Sequence, residues 1–205
     1  WLDKCIHSVL RQYYEKWELC IIDDGSTNND TLHSLKGWQN IDPRIKISYN
    51  KINQNISKAS NIAIKNATGE FIAFLDNDDE LKEDALFWIV YEINKHPAAD
   101  LIYTDECKIT SENTLVDFNF KPDWSPEFLL NEMYIGHLSV YRKSIIEKVG
   151  LFRSEYDFSQ DYDLALRVSE ITQNIFHVER ILYYWRQIKG SAADGGKSYA
   201  RKSNI

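Results

Sequence analysis

The chain alternates between short apolar runs that end in acidic residues and polar stretches that carry apolar residues at helical spacing. The clearest apolar run is residues 71–75, which is bounded upstream by Gly69 and predicts a strand over residues 70–75 that is buried on both faces. It is followed by an acidic segment, Asp76, Asn77, Asp78 and Asp79. Because ligands bind at the carboxyl ends of strands in open α/β sheets, we expect this acidic segment to lie at a ligand site.

The remaining elements follow from the same two periodicities. Further strands are predicted over residues 17–22, 45–49, 101–106, 138–141 and 175–185. Helices are predicted over residues 1–15, 57–67, 127–131, 143–149 and 161–171, from a cap at Ser26 or Thr27 to residue 38, and from residue 83 to the stop at His96-Pro97. Residues 190–197 are rich in Gly, Ser and Ala and predict a loop.

The order of these elements predicts the fold class. Strands and helices alternate as far as residue 106, which favours an α/β fold with a mainly parallel sheet flanked by helices. Residues 107–136 are only weakly periodic and are expected to form a surface excursion. We find no linker in the 205 residues, so one domain over 1–205 is expected. Since such a sheet normally starts with a strand and this chain starts with a helix, we also expect an upstream first strand at the sheet centre.

Composition narrows the possible functions. A net charge of −7, with basic residues scattered along the chain, argues against sequence-independent binding of nucleic acid, which requires basic patches. No apolar run approaches the ~18 residues of a membrane span. The three cysteines, Cys5, Cys20 and Cys107, are odd in number and widely spaced, which favours a reducing cytosol over a disulfide framework. We therefore expect a cytoplasmic protein.

Acidic residues recur at the predicted strand ends and at one helix start. Besides the acidic segment, they are Asp23 and Asp24, Asp105 and Glu106, and Asp161. A single turn carboxylate is commonplace, but their recurrence at one edge indicates a binding site. An Asp-x-Asp pair directs two carboxylates to roughly the same side, which suits a hard divalent cation that bridges phosphate oxygens. The residues therefore predict a metal-dependent nucleotide-sugar site.

Several motifs, in this order along the chain, resemble one known family. They are residues 21–27, 57–61, 67–70, 75–79, 103–106, 134–138, 159–167 and 184–186. Together they resemble the family-2 glycosyltransferases with the GT-A fold, and the downstream motifs resemble the bacterial branch that builds O-antigen and related surface polysaccharides. The resemblance implies a Rossmann-like GT-A fold with a nucleotide-sugar-binding half over 1–106 and a less regular acceptor-binding half over 107–205.

The resemblance also implies which residues bind the donor nucleotide. Asp23 and Asp24 would contact the base and the ribose, whose N–H and hydroxyl groups can donate to a carboxylate. Asp76 and Asn77 would bind the ribose side, and Lys58 would supply a further donor contact. The nucleotide site is therefore expected to combine residues from three separate motifs.

The cation is assigned to Asp78 by the same resemblance. Asp78 would bind Mg²⁺ or Mn²⁺ attached to the diphosphate, where the cation takes up charge that develops on the leaving group. Asp79 would either bind a metal-bound water or cap the helix that begins near residue 83. Many family members carry a His after the Trp-Arg pair, where this chain has Ile188, so the third metal ligand stays open.

For the transfer step, the resemblance implies an inverting mechanism with Asp161 as the general base. Its position at a helix start would lower its pKa, and the alternative is that Asp161 only caps this helix. The acceptor side would include Asp105, Glu106, His137 and Trp185. For His137 the competing interpretation is a structural histidine, and for Trp185 it is a core residue.

The implied reaction moves a hexosyl or N-acetylhexosaminyl group from a nucleotide-diphosphate sugar, expected to be UDP-linked, to a saccharide or lipid-linked acceptor. The implied location is the cytoplasm, extending to peripheral association with the inner face of the bacterial membrane. The alternative is a non-catalytic nucleotide-sugar-binding domain. Two features keep this alternative open: the first strand is expected to be missing, and Ile188 stands where many family members have a His. Phosphatases of the haloacid dehalogenase type are disfavoured, because their motif continues with Gly or Thr, where this chain has Glu80 and Leu81.

Overall fold

The structure is a computed structural model that describes residues 1–188, so the loop predicted over residues 190–197 lies outside the described part. The strands are β1 (Leu19–Asp23), β2 (Ile45–Tyr49), β3 (Phe71–Ala73), β4 (Glu80–Leu81), β5 (Leu101–Ile109), β6 (Leu115–Asn119), β7 (Ser139–Arg142) and β8 (Ile175–Arg186). The α-helices are α1 (Leu2–Leu10), α2 (Asn29–Trp38), α3 (Ile56–Asn66), α4 (Ala85–Lys95), α5 (Pro126–Leu129), α6 (Lys143–Lys148) and α7 (Gln160–Ser169).

Most predicted elements are present, but several ends differ. Helix α1 ends at Leu10, and the following residues dock on the start of α4 and the segment before it: Gln12 Nε2 donates to the carbonyl of Lys82 at 2.7 Å, and Gln12 Oε1 accepts from N of Leu86 at 2.9 Å. Helix α2 is capped by the side chain of Asn28, which accepts from two backbone N–H groups, and not by Ser26 or Thr27. An asparagine at this position satisfies the same unpaired donors.

The strands form two separate sheets. Strands β1 and β2 are a parallel pair, and the six-stranded sheet has the order β3-β7-β5-β8-β4 with β6 paired to β5. The α/β class is confirmed, but the expectation of mainly parallel pairing needs correction. Among the described strands, only β1–β2 and β5–β8 run parallel, and the other four pairings are antiparallel. The cause lies in the second half, where β6 follows β5 in a hairpin and β7 enters between β3 and β5.

The centre of the sheet is interrupted between β1 and β3, which do not pair in the described residues. Glu18 connects the two sides. Its carboxylate accepts from Oγ1 of Thr68 and from N of Gly69, both at 2.9 Å, and also contacts N of Thr68 and Lys46. Side-chain hydrogen bonds thus cross a place where ladder hydrogen bonds are missing, and the upstream first strand stays a prediction.

The six-stranded sheet is covered on both faces. On one face, Leu101 and Tyr103 of β5 pack in a buried cluster with residues of α6 and α7, including Leu164. On the other face, Ile102 packs in a second cluster with residues of α1 and α4, including Ile89. This alternation along one strand is the period of two that a strand between two layers requires.

Strand β3 differs from its prediction. It is only three residues long, its residues are half-buried or exposed, and it pairs only with β7. The expectation of a strand buried on both faces is therefore wrong: Ile72 and Phe71 pack against different core clusters but stay only half-buried, because β3 is at the edge of its sheet. The predicted boundary between the two halves at residue 106 falls inside β5, so the halves share a strand.

The described residues also show the state of the cysteines and the character of the helices. Cys5, Cys20 and Cys107 are free thiols. Among residues 1–188, no helix combines the length and the apolar character needed to cross a lipid bilayer.

Candidate active site

The acidic segment lies between β3 and β4 and is held by the carboxyl end of β8. Tyr183 Oη donates to Oδ2 of Asp79 at 2.5 Å and accepts from N of Asp76 at 3.2 Å. The backbone N of Arg186 donates to Oδ1 of Asp79 and its Nε to the carbonyl of Asp78, both at 2.7 Å. The backbone of the acidic segment is therefore fixed by a strand about one hundred residues further along the chain.

Asp79 is the anchor of this arrangement. Its side chain is inaccessible to solvent, and both of its oxygens accept hydrogen bonds from β8. Burial raises its pKa to about 8, against the opposing effect of the hydrogen bonds from Arg186 and Tyr183. The capping role considered for Asp79 is wrong, since α4 begins at Ala85 and its N-cap residue is Asp84.

His137 faces the acidic segment from the turn before β7. Its Nε2 lies 4.0 Å from Oδ2 of Asp76. Its ring stacks on Tyr183, with 4.6 Å between the centroids and 14° between the planes, and meets the ring of Trp185 edge-on at 5.8 Å. Asp76, Asp79 and His137 each offer a ligand atom, and these atoms lie within 4.8 Å of one another. Two carboxylates and an imidazole are a donor set that fits a divalent cation.

Asp78, which was predicted to bind the cation, is not part of that group of three. Its carboxyl group is half-buried, and burial together with the nearby charge of Asp76 raises its pKa. Asn77 is exposed in the turn of the acidic segment. Trp185 is half-buried and packs against a core cluster, as its competing interpretation expected, while it also touches His137. The side chain of Ile188 carries no atom that could bind a metal.

Asp105 and Glu106, predicted on the acceptor side, are buried and bind protein groups. Glu106 accepts from the backbone N of His137 at 2.8 Å and from Lys121 Nζ at 3.1 Å. Asp105 accepts from the backbone N of Lys121 and lies 2.9 Å from Nε2 of His177. The ammonium group of Lys121 also donates to the carbonyl of His137. These two acids therefore hold the turn that carries His137, a role that sequence reasoning missed because Lys121, their shared partner, lies in the weakly periodic excursion.

Asp161 is the second residue of α7, and the N-cap residue of that helix is Ser159. The interpretation of Asp161 as the cap is therefore wrong. Burial raises its pKa, the N–H of Tyr162 and the charge of His137 act to lower it, and the charge of Asp76 raises it further. Burial thus outweighs the lowering of the pKa that was expected from the position at the helix start. The charges of His137 and Asp76 also act on the carboxyl group of Asp161, whose role as the base stays a prediction.

The first turn of α7 is anchored by Asp163, not by Asp161. The carboxylate of Asp163 accepts from Arg153 and from Nη2 of Arg167, the latter at 2.7 Å. The same Nη2 donates to the carbonyl of Leu151 at 2.7 Å. Because Asp163 is tied to two guanidinium groups, it has a structural role in the first turn of α7.

The motif at residues 57–61 reaches the segment that precedes α7. Asn61 exchanges two hydrogen bonds with the backbone of Phe152, at 2.8 and 3.0 Å, and the backbone N of Ser57 donates to Asp157 at 3.2 Å. The i, i+4 spacing of Ser57 and Asn61 on one face of α3 was the available signal for this contact. Lys58, the predicted donor contact, is exposed on the same helix.

Asp23 and Asp24 lie at the carboxyl end of β1. Asp24 accepts from Nδ2 of Asn50 at 2.7 Å and from N of Gln54 at 2.8 Å, so it shapes the loop that follows β2. Gly25 has a φ of +76°, and a Cβ there would lie 2.9 Å from the backbone N of residue 53. In the described part of the chain, neither aspartate forms a hydrogen bond with the acidic segment.

The fold and the site together define a class. A mixed α/β sheet flanked by helices, with acidic residues at strand ends where ligands bind in such sheets, agrees with a GT-A fold. The solved structure of S. aureus TarS 1-349 in complex with UDP-GlcNAc superposes with a TM-score of 0.77 and 21% identity, covering 96% of this chain and 57% of that chain. This likeness shows the fold.

The chain belongs to glycosyl transferase family 2, whose family model matches residues 1–150. It is 42% identical over 206 residues to the uncharacterized protein y4gI of Sinorhizobium fredii, covering 98% of this chain and 23% of that protein. It is 33% identical over 196 residues to the O-antigen biosynthesis protein RfbC of Myxococcus xanthus, covering 96% of this chain and 15% of that protein. The chain therefore spans less than a quarter of the length of either relative.

Proposed function

We propose that this chain is an inverting glycosyltransferase domain that moves a sugar from a nucleotide-diphosphate sugar, UDP-linked, to a saccharide or lipid-linked acceptor. The observation that carries the proposal is that His137 lies 4.0 Å from Asp76 beside the buried Asp79, and the charges of His137 and Asp76 both act on the carboxyl group of Asp161. Family membership, the UDP-GlcNAc complex of S. aureus TarS and the O-antigen role named for the M. xanthus relative support the donor type and the product class.

The proposed donor site uses the residues that the sequence singled out. Asp23 and Asp24 receive the base and the ribose, and Asp76 and Asn77 contact the ribose side. Lys58 is exposed on the first turn of α3, from which an ammonium group can reach a phosphate. The transferred group is proposed to be a hexosyl or N-acetylhexosaminyl residue.

Mg²⁺ or Mn²⁺ is proposed to bind at the acidic segment, with Asp78 as the predicted carboxylate ligand. The crowding of acids supports this, since burial and neighbouring carboxylates raise the pKa of both Asp78 and Asp79. A bound divalent cation supplies charge neutralisation on the leaving diphosphate. The chain's own contribution is to hold these carboxylates in a fixed backbone through Tyr183 and Arg186.

Asp161 is proposed to take the proton from the acceptor hydroxyl. The hydroxyl oxygen forms the new bond to the anomeric carbon while the bond from that carbon to the diphosphate oxygen breaks, and the proton goes to the carboxylate. A raised pKa makes Asp161 a stronger base than an exposed aspartate. The domain is proposed to act in the cytoplasm, and a lipid-linked acceptor would bring it to the inner face of the membrane.

Release of nucleoside diphosphate from a panel of UDP-, GDP- and dTDP-sugars, with and without Mn²⁺, tests this function. We expect turnover with a UDP-sugar that requires the cation, and a loss of about 10² to 10⁴-fold in Asp161→Asn with donor affinity nearly unchanged. The matched control is Asp117→Asn, a carboxylate on the exposed β6 hairpin. Tight donor binding without turnover for any donor or acceptor would instead support a non-catalytic nucleotide-sugar-binding domain.

A further inference from the structure

We propose that His137 supplies a nitrogen ligand to the divalent cation of the donor site and shares that cation with Asp76. The inference rests on the proposed function, because it concerns the same cation. Oδ2 of Asp76 would join Asp78 as a carboxylate ligand, while Oδ1 of Asp76 stays available for the ribose side. The proposal adds a ligand that the Asp-x-Asp motif does not contain. It also assigns a chemical role to His137, for which the sequence allowed two interpretations, an acceptor contact or a structural residue.

The first argument is the distance between the two ligand atoms. Nε2 of His137 and Oδ2 of Asp76 are 4.0 Å apart, which is too far for a hydrogen bond. The separation is close to twice the ~2.1 Å bond that small divalent cations form with imidazole nitrogen or carboxylate oxygen. A cation can therefore contact both atoms without displacing either side chain. A ligand atom of Asp79 lies within 4.8 Å of both.

The second argument is that the imidazole ring is held in place. Its face stacks on Tyr183 and its edge meets Trp185, so the ring has little freedom to rotate. Its backbone N donates to Glu106, and its carbonyl accepts from the buried ammonium group of Lys121. Metal ligands are commonly oriented by such surrounding contacts, and a fixed ring loses less entropy when it binds a cation.

Tyr183 links the two ligands to each other. Its hydroxyl group accepts from the backbone N of Asp76 and donates to Asp79, while the face of its ring supports the imidazole of His137. One fully buried side chain thus sets the relative positions of a carboxylate from one loop and an imidazole from another. Such fixed relative positions are expected of a binding site whose ligands are placed before the cation arrives, and a histidine without a ligand role would not require them.

The proposal has a consequence for cation choice. Carboxylate oxygens suit both Mg²⁺ and Mn²⁺, whereas an imidazole nitrogen favours transition-metal cations over Mg²⁺. The wild-type protein should therefore bind Mn²⁺ more tightly than Mg²⁺. Removal of the imidazole should weaken Mn²⁺ binding more than Mg²⁺ binding and so reduce the preference.

Pulsed electron paramagnetic resonance on the wild-type protein with Mn²⁺ and UDP, labelled with ¹⁵N only in histidine, tests the ligand directly. We expect a ¹⁵N hyperfine coupling from one bound imidazole. Its absence would overturn the proposal without need of any variant. Turnover without this coupling would leave the proposed function intact, and the coupling without turnover would leave the ligand assignment intact.

Titrations with Mn²⁺ and with Mg²⁺ give the second readout. In His137→Gln we expect the Kd for Mn²⁺ to rise about tenfold or more and the ¹⁵N coupling to disappear, with a smaller change for Mg²⁺. The matched control is His33→Gln, an exposed histidine on α2, which should change neither. Unchanged Mn²⁺ affinity in a folded His137→Gln protein, or a coupling that persists in it, would contradict the proposal.

Discussion

Glu18 shows how much a single side chain contributes across the interruption of the sheet. Burial acts to raise its pKa, but hydrogen bonds from Lys46, Thr68 and Gly69 outweigh that effect and lower the pKa to about 2. A carboxylate whose pKa is lower in the folded state stabilises the fold above its unfolded value. That contribution is lost as the pH falls from about 4.5 to about 2.

We therefore expect Glu18→Gln to be less stable than the wild type at neutral pH and to lose less stability between about pH 4.5 and about pH 2. The free energy of unfolding in urea, measured at several pH values, gives both quantities. Glu15→Gln, an exposed glutamate on the same segment, is the control and should follow the wild type. Parallel pH curves for the wild type and Glu18→Gln would show that Glu18 has no such role.

Gly136 permits a second prediction at the scale of one residue. Its φ is +47°, and a Cβ there would lie 3.0 Å from Oε2 of Glu106 and 3.4 Å from Nζ of Lys121. Gly136→Ala should therefore destabilise the protein by about 1–3 kcal/mol and should weaken Mn²⁺ binding by displacing His137.

Gly37 offers a matched control for that substitution. It lies in α2, and a Cβ there would meet no atom within 4 Å. Gly37→Ala should be neutral or stabilising by up to about 1 kcal/mol, since alanine favours helix more than glycine does. Thermal unfolding compares the two variants, and equal stability of both would contradict the account of the Gly136 turn.

At the scale of elements, β8 does more than contribute apolar residues to the core, because it also holds the acidic segment in place. The side chain of Arg186 in this strand is fully buried; its guanidinium group pairs with Glu80 and donates to the carbonyl of Asp78. The backbone N of Arg186 donates to the carboxylate of Asp79. The sequence predicted this strand and marked its Trp-Arg pair by resemblance. It could not show that the acidic segment lies against the strand, because that contact joins residues more than one hundred positions apart.

We expect Arg186→Met to destabilise the protein by about 3–5 kcal/mol, because Glu80 would be left without its buried cationic partner. The side chain of Arg180 lies on the exposed part of the same strand and stacks on Trp88. Arg180→Met is thus the control and should cost less than about 1 kcal/mol. Urea unfolding measures both, and a similar small loss in the two variants would refute the anchoring role of Arg186.

The same limit applies to the candidate site as a whole. Local patterns identified the acids at strand ends and the helix that carries Asp161, because these depend on periodicity and capping. They could not identify Tyr183 as the residue that binds Asp79, since its neighbour Tyr184 has the same chemistry and only the register of β8 on β5 decides which side chain points inward. Nor could they show that the buried Lys121 holds the His137 turn.

At the scale of the whole molecule, the two sheets differ in how well they are supported. Strand β5 is paired on both sides and buried along nearly its whole length. Strand β1 pairs only with β2 and is mostly half-buried. Parallel pairing was predicted from the alternation of elements, but which strands become neighbours depends on contacts between distant parts of the chain, and an antiparallel hairpin and an inserted β7 were not visible in the pattern.

This difference predicts separate opening of the small sheet. A two-stranded sheet with few buried contacts opens locally at a lower free energy than the global unfolding. We expect amides in Leu19–Asp23 and Ile45–Tyr49 to exchange with deuterium at least about tenfold faster than those in Leu101–Ile109. Native-state hydrogen exchange followed by mass spectrometry, at increasing urea concentration, measures this for each peptide.

Strand β8 is the internal reference for that experiment, because it pairs with β5 and should exchange at the same free energy. The same experiment with added UDP tests the proposed nucleotide contacts. Binding of UDP by Asp23 and Asp24 at the end of β1 should slow amide exchange in the small sheet and leave the large sheet unchanged. If β1, β5 and β8 instead exchange together at every urea concentration, the chain unfolds as one cooperative unit, and side-chain contacts such as those of Glu18 couple the two sheets as firmly as a continuous ladder would.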